Sequence, residues 1–175
     1  HGKQKTERIK VIDWNSPGYN HFLLVNQLWV AGNPYRRRPD LVGFVNGIPF
    51  LVMELKAPHV NIKDAFDNNL SDYKSTIPQL FWYNGIIIIS NGVYTKVGSI
   101  TAPWEHFADW KKINDEGEIG IISLDTVIRG TCEKERFLDI LENFCVFQEA
   151  MGGLIKIVSK YHQYLGVNNA IRAFK

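Results

Sequence analysis

The chain has 175 residues, 45% hydrophobic and 13% aromatic, enough for the core of one domain and the beginning of another. Its formal charge of +2 excludes a global basic field, so any nucleic-acid surface must be local. Cys132 and Cys145 form no C-x-x-C pair, and no apolar run nears the roughly 18 residues of a bilayer span, so a reducing, cytoplasmic compartment with no membrane partner is expected.

Residues 1–7 are polar and basic, read as a disordered edge, and lack the apolar region of a signal peptide. Arg8 to Trp14 alternates loosely and predicts a strand that ends in the Asn15-Ser16-Pro17-Gly18 turn. Phe22 to Val30 is a second apolar stretch, predicted as strand through Gln27 to Val30 and broken by Gly32-Asn33-Pro34. Two apolar strands then flank Asn46-Gly47, and Pro58 ends the second. Asn61, with Asp64 three residues on, predicts the cap of a helix over about 61–76 with Ile62, Phe66, Leu70 and Tyr73 as its stripe and Ile77-Pro78 as its stop. Asn69 and Tyr73 lie four apart on that helix and so share a face.

Ile86 to Ser90 is a continuous apolar run bounded by Gly85 and Asn91-Gly92, which predicts a strand covered on both faces. Val93 to Val97 is expected to pair with it as a hairpin. Trp82 and Tyr83, before that run, are expected to pack in the core. Ala102-Pro103 opens a short aromatic helix with Trp104, Phe107 and Trp110 inward, and Ile119 to Ser123 is too brief to assign. Glu133 to Phe147 is amphipathic, with Phe137, Ile140, Leu141 and Phe144 as its buried stripe. Met151-Gly152-Gly153 is the best internal boundary; beyond it, Leu154 to Lys175 reads as one or two helices with a basic face. The order predicts an α/β fold with a mixed sheet flanked by helices.

The chemistry concentrates on RRRPDLVGFVNGIPFLVMELK, residues 36–56. Side chains of a strand alternate faces, so Val52, Glu54 and Lys56 share one face and Leu51, Met53 and Leu55 the other. Buried strands rarely carry three ionisable groups, because an unpaired charge in an apolar site costs several kcal/mol or more. The turn decides where Asp40 points. A two-residue turn pairs Val45 with Ile48 and leaves Asp40 opposite Met53, on the wrong face. A three-residue loop (Val45, Asn46, Gly47) with a left-handed Gly47 pairs Phe44 with Ile48 and brings Asp40 to the face of Glu54 and Lys56; this loop is predicted.

Two adjacent carboxylates repel unless a cation lies between them, and hard oxygen ligands select Mg²⁺, Mn²⁺ or Ca²⁺. Lys56, on the same face, can orient a water and stabilise charge on a phosphoryl group, which predicts metal-assisted phosphodiester hydrolysis. The other reading is a buried salt bridge between Lys56 and one acid. Arg36, Arg37 and Arg38 are candidate phosphate contacts, or a solvated charge run. His59 lies just past Lys56 on a loop, while His21 and His106 lack ligand spacing, so zinc is not expected.

Pro39-Asp40 followed by Glu54-Leu55-Lys56 resembles the PD-(D/E)xK nuclease signature. The surroundings are more specific. Asn26-Gln27 through Val30, Arg38 through Val42, Val45 through Pro49, Glu54 through Pro58, Tyr73-Lys74, Ile77 through Phe81, Tyr83-Asn84 and Ile88 through Gly92 resemble the nuclease domain of the type I restriction enzyme R subunit, over about residues 8–150. The resemblance implies a restriction-endonuclease-like fold and Mg²⁺-dependent cleavage of double-stranded DNA, with Mn²⁺ able to substitute. Asp40, Glu54 and the Leu55 carbonyl would be metal ligands and Lys56 the catalytic lysine. Residues 1–150 would be the nuclease domain and 151–175 the start of the linker and helicase-like motor. Partners implied are the modification and specificity subunits.

The family's Gln-x-x-x-Tyr motif aligns with Asn69 to Tyr73, so Tyr73 matches and Asn69 is a shorter amide. Gln79 to Tyr83 has the same spacing but lies past Pro78. The usual first helix, often with another acid, is expected to precede this stretch. Lys160 to Ala170 resembles the approach to the motor, which casts Gln163 as an adenine contact in the full-length subunit. No G-x-x-x-x-G-K-[ST] occurs, so ATP is implied only there. The alternative is a non-catalytic DNA-binding or assembly module of the same shape.

Overall fold

Ile86–Ser90, strand β6, is buried along its whole length, and the sheet is built around it. The computed structural model describes residues 7–32, 34–150 and 153–174. The readings of residues 1–6, of Asn33 and of Met151-Gly152 lie outside the described residues. Strands β1 (Phe22–Asn26), β4 (Leu41–Val45), β5 (Ile48–Leu55), β6 and β7 (Thr95–Gly98) form one five-stranded sheet in the order β1-β4-β5-β6-β7. All neighbours are antiparallel except β5 and β6, which run parallel and are joined by a crossover helix. This mixed sheet with flanking helices is consistent with the restriction-endonuclease-like α/β fold expected.

Alternation divides β5 and β6 between two cores. Leu51, Met53, Ile86 and Ile88 face Val127, Phe137 and Ile140 from helices α2 (Ser123–Thr131) and α3 (Lys134–Asn143). Val52, Ile87 and Ile89 face Leu70 and Tyr73 of the crossover helix, with Ile62 just before that helix and Phe107 beside them. That helix covers residues 63–76 and stops before Pro78, as the sequence predicts. Asn61 starts it: its Oδ1 accepts the Lys63 N–H at 2.9 Å. The middle, Ala65–Leu70, is a π-helical stretch, with the Ser71 N–H bonded to the Phe66 carbonyl, and regular helix α1 (Ser71–Thr76) follows.

The hairpin turn differs from the expectation. Val45 pairs with Ile48 across a two-residue Asn46-Gly47 turn, and both residues are left-handed, at φ 49° and 83°. Positive φ at both positions suits Asn-Gly and matches the strand twist. A bulge further along supplies the missing residue. Phe44 pairs with Pro49 but Gly43 pairs with Leu51, so Phe50 is extra, and Leu41 then stands opposite Met53. Continuing that register puts Asp40 opposite Glu54. Pro49 has no N–H to give the ladder, and a bulge is where a sheet tolerates it.

Other expectations are corrected. Residues 8–14 form no strand, because β1 already occupies the edge beside β4. Asn46 Nδ2 donates instead to the Val11 carbonyl at 2.8 Å, and Asn46 Oδ1 accepts the His21 N–H at 2.7 Å. The second apolar stretch is strand over Phe22–Asn26 and not through Gln27 to Val30, with Gln27 left-handed at φ 51°. Trp82 and Tyr83 are exposed, since the bend before β6 turns them out after Leu80 and Phe81 have taken the core positions. Helix α2 has no counterpart in the sequence reading, and residues 154–158, expected as helix, lie in β9 (Gly153–Val158).

β9 (Gly153–Val158) pairs with β8 (Cys145–Ala150), and α4 (Tyr161–Ala173) follows. Polar pins hold this hairpin to the sheet. Ser99 Oγ and Thr101 Oγ1 donate to the Lys156 carbonyl at 2.6 and 3.0 Å, and Lys156 Nζ donates to the Asn84 carbonyl. No helix among the described residues is long and apolar enough to cross a membrane.

Asn46→Ala removes both the amide contacts and the residue type that accepts the left-handed turn. It is expected to lower stability by about 1–2 kcal/mol, measured by urea denaturation, with Asn46→Gly recovering part of the loss.

Candidate active site

The bulge at Phe50 and the end of β5 bring two carboxylates together. The Asp40 N–H lies 3.4 Å from Glu54 Oε1, and Asp40 Oδ2 accepts the Leu55 N–H at 2.8 Å. Glu54 is only 1% exposed, although it is an ionisable residue in a strand otherwise wholly apolar. Burial first, and the neighbouring Asp40 charge second, raise its carboxyl from 4.5 to about 7; hydrogen bonding from Tyr73 and the Lys56 charge oppose the rise. A site that raises a carboxylate this far stores an electrostatic cost that a bound cation would relieve.

The crossover helix supplies the rest of the site. Lys56 Nζ donates to Asn69 Oδ1 at 2.8 Å, so the shorter amide does reach the lysine. The Tyr73 hydroxyl interacts with Glu54 and with Asn69, and burial pushes its ionisation well above the usual phenol range. Asn69 thus accepts a hydrogen bond from Lys56 and stands between that ammonium and Tyr73, which lies against Glu54. One amide can serve both neighbours, having an acceptor oxygen and two donor hydrogens. Asn69 lies inside the π-helical stretch, and such widened turns are frequent at functional sites. Lys56 forms no salt bridge with either acid.

The three arginines separate. Arg37 is bound in two bonds to Asp72 on the same helix, one of them 2.7 Å; that pairing lowers the Asp72 carboxyl and raises the guanidinium. Arg36 and Arg38 are exposed. No spacing in the sequence marks Asp72, since it lies 35 residues from Arg37. His59 lines a neighbouring groove of about 460 Å³ with Asn91, Tyr94 and Lys96. Gln163 lies apart from this site and caps α4, its Oε1 accepting the Lys160 N–H at 2.8 Å.

The donor set suits a hard cation. Among the described residues no three His, Cys, Asp or Glu side chains gather, so the protein offers two carboxylates and leaves room for waters. Mg²⁺ is characteristically held by one or two carboxylates in this way.

Residues 1–106 match the family described as the N terminus of the type I restriction enzyme R protein. The chain is 36% identical over 179 residues to the type I restriction enzyme HindI endonuclease subunit of Haemophilus influenzae, covering 97% of this chain and 17% of that subunit. It is 34% identical over 88 residues to the type I restriction enzyme SauCOLORF180P endonuclease subunit of Staphylococcus aureus, covering 50% of this chain and 9% of that one. The chain therefore spans less than a fifth of the length of these curated relatives.

The raised Glu54 carboxyl has a consequence for stability. The folded chain holds that proton more tightly than the unfolded chain, so this group's contribution is complete below about pH 4.5 and is lost as pH rises through about 7. Glu54→Gln is therefore expected to stabilise the metal-free chain at pH 8, by on the order of 3 kcal/mol, and hardly at all at pH 4.5. Thermal melts in EDTA at the two pH values measure the difference.

Proposed function

This chain belongs to the family of type I restriction enzyme R protein N termini, and from that premise we propose that it is the DNA-cleaving domain of such a subunit, hydrolysing phosphodiester bonds of double-stranded DNA with Mg²⁺. The observation that carries the proposal is Asp40 beside a buried Glu54, with Lys56 held toward the same face by Asn69. This is the arrangement that a PD-(D/E)xK site requires.

Asp40, Glu54 and the Leu55 carbonyl would hold Mg²⁺ or Mn²⁺. Bound there, the cation supplies Lewis-acid polarisation and neutralises developing charge. Lys56 keeps two N–H groups beyond the one given to Asn69, and these orient the attacking water and bind a phosphoryl oxygen in the transition state. Asn69 aims the ammonium, and Tyr73 fixes the Glu54 carboxylate. Because Glu54 is buried and its carboxyl raised, cation binding strengthens as pH rises through about 7.

The rest of the proposal concerns the longer polypeptide. Its nuclease domain would cover residues 1–150, with residues from 151 leading toward an ATP-driven motor in which Gln163 contacts adenine. Its partners would be modification and specificity subunits in the cytoplasm. In the chain itself Gln163 acts as a helix cap, so the adenine role requires its amide to be released.

Titration with Mn²⁺ followed by calorimetry tests the site, with supercoiled plasmid as the cleavage substrate. Millimolar or tighter binding is expected, lost in Asp40→Ala. Lys56→Ala is expected to keep the metal but to lower the cleavage rate at least about 100-fold. Metal binding without cleavage by the wild-type chain or the assembled enzyme returns the non-catalytic module. Failure to bind Mn²⁺ at all removes the metal-site reading.

A further inference from the structure

Two short strands, β2 (Val30–Ala31) and β3 (Arg36–Arg37), form a separate ribbon immediately before Asp40. Val30 pairs with Arg37, so the next cross-strand position sets Trp29 opposite Arg38. Val30 and Arg37 are half-buried toward the crossover helix, whereas Trp29, Ala31, Arg36 and Arg38 are all exposed. One face of the ribbon is thus anchored and the other carries two cations and an indole.

The anchoring is rigid. Arg37 is clasped by Asp72, and Gln79 Nε2 donates to the Ala31 carbonyl at 2.7 Å. The Gly32 N–H donates to the Tyr35 carbonyl at 2.7 Å, and a Cβ on Gly32 would lie 2.0 Å from the Thr76 carbonyl, so the ribbon sits directly on the helix end. Both strands also meet the site. The Gln27 N–H donates to the Asp40 carbonyl at 2.7 Å, two residues before Trp29. Arg38 precedes Asp40 by two residues, which holds their Cα atoms within about 7 Å.

On the exposed face, the Arg38 guanidinium lies over the Trp29 ring, 5.2 Å from its centroid, while Trp29 remains 64% exposed. Arg37 has its acid; among the described residues, Arg36 and Arg38 form no ion pair. A guanidinium held over an aromatic face loses less freedom on meeting an anion, and its planar fork matches phosphate oxygens. Two exposed guanidinium groups without acids of their own, close to the Asp40 and Glu54 carboxylates, suit a polyanionic ligand.

We propose that this ribbon is a duplex-gripping arm, in which Arg38 and Arg36 bind DNA phosphates flanking the one at Asp40 and Glu54, and Trp29 is a positioning residue that holds the Arg38 guanidinium in place. The inference rests on the nuclease reading but is separable from it, since gripping needs no metal.

Anisotropy of a labelled DNA duplex, in EDTA and across a salt series, tests it. Arg38→Gln is expected to bind about tenfold more weakly near 0.1 M salt and to make the log–log salt slope shallower by about one. Trp29→Ala is expected to bind about fivefold more weakly, Trp29→Phe to return to within about twofold of wild type, and Trp29→Ala with Arg38→Gln to bind no worse than Arg38→Gln alone. Additive losses, or no recovery in Trp29→Phe, overturn the positioning role. Duplex binding unchanged in Arg38→Gln and Arg36→Gln overturns the arm while leaving Mn²⁺-dependent cleavage to judge the nuclease separately. A wild-type chain that binds no duplex in EDTA also overturns the arm. Should Trp29→Ala melt early, Arg38→Lys carries the test, because it keeps the charge and loses the guanidinium that Trp29 holds; binding equal to wild type then overturns the positioning role.

Discussion

The side of the sheet on which Asp40 lies depends on one extra residue, Phe50. With Asn46-Gly47 as a two-residue turn, regular pairing would put Asp40 across from Met53, and its carboxylate would point toward the back core. The bulge advances β5 by one position, after which every later pair is in step, so that Asp40 meets Glu54 at the open end of the hairpin. Pro49 favours that bulge because it has no N–H to leave unpaired there. Local backbone chemistry thereby determines whether the chain has a pair of carboxylates or two isolated acids.

The crossover helix turns the pair into a site. Through Asn69 and Tyr73 it joins Lys56 to Glu54 without letting lysine and glutamate neutralise each other directly. A salt bridge would have neutralised the very charges that the proposed cation and phosphate binding requires. The arrangement instead leaves Glu54 buried beside Asp40 at a cost in electrostatic free energy. The same helix secures the loop before Asp40 through Asp72, so both ends of the hairpin refer to a single element.

The site was more legible in the sequence than its scaffold. Asp40, Glu54 and Lys56 stood out because charged residues interrupt apolar strands, and strand alternation alone placed Glu54 with Lys56. The continuous Ile86 to Ile89 run likewise announced a strand buried on both faces. The hairpin turn was misread because a three-residue loop and a two-residue turn with a later bulge both add one residue; the cue was Pro49. The π-helical stretch left no periodic trace distinct from an ordinary helix, so the reach of Asn69 could not be judged. Helix α2 was missed because exposed Ile121 and Ile122 blur its start. Residues 154–158 read as helix in the sequence because their apolar residues fit either period. Arg37 and Asp72 find each other only through the fold.

The four isoleucines of β6 give the molecule a stiff partition with a different core on each side. β-Branched side chains have few rotamers, and close-packed interiors transmit strain with little absorption. Ile89 is registered with Glu54, while Ile88 and Ile86 on the same strand face α2 and α3. A methyl group too many on the purely apolar side should therefore be felt as a displacement at the carboxylates. Mutational tolerance at this fold's back core is then set by the precision its polar face demands.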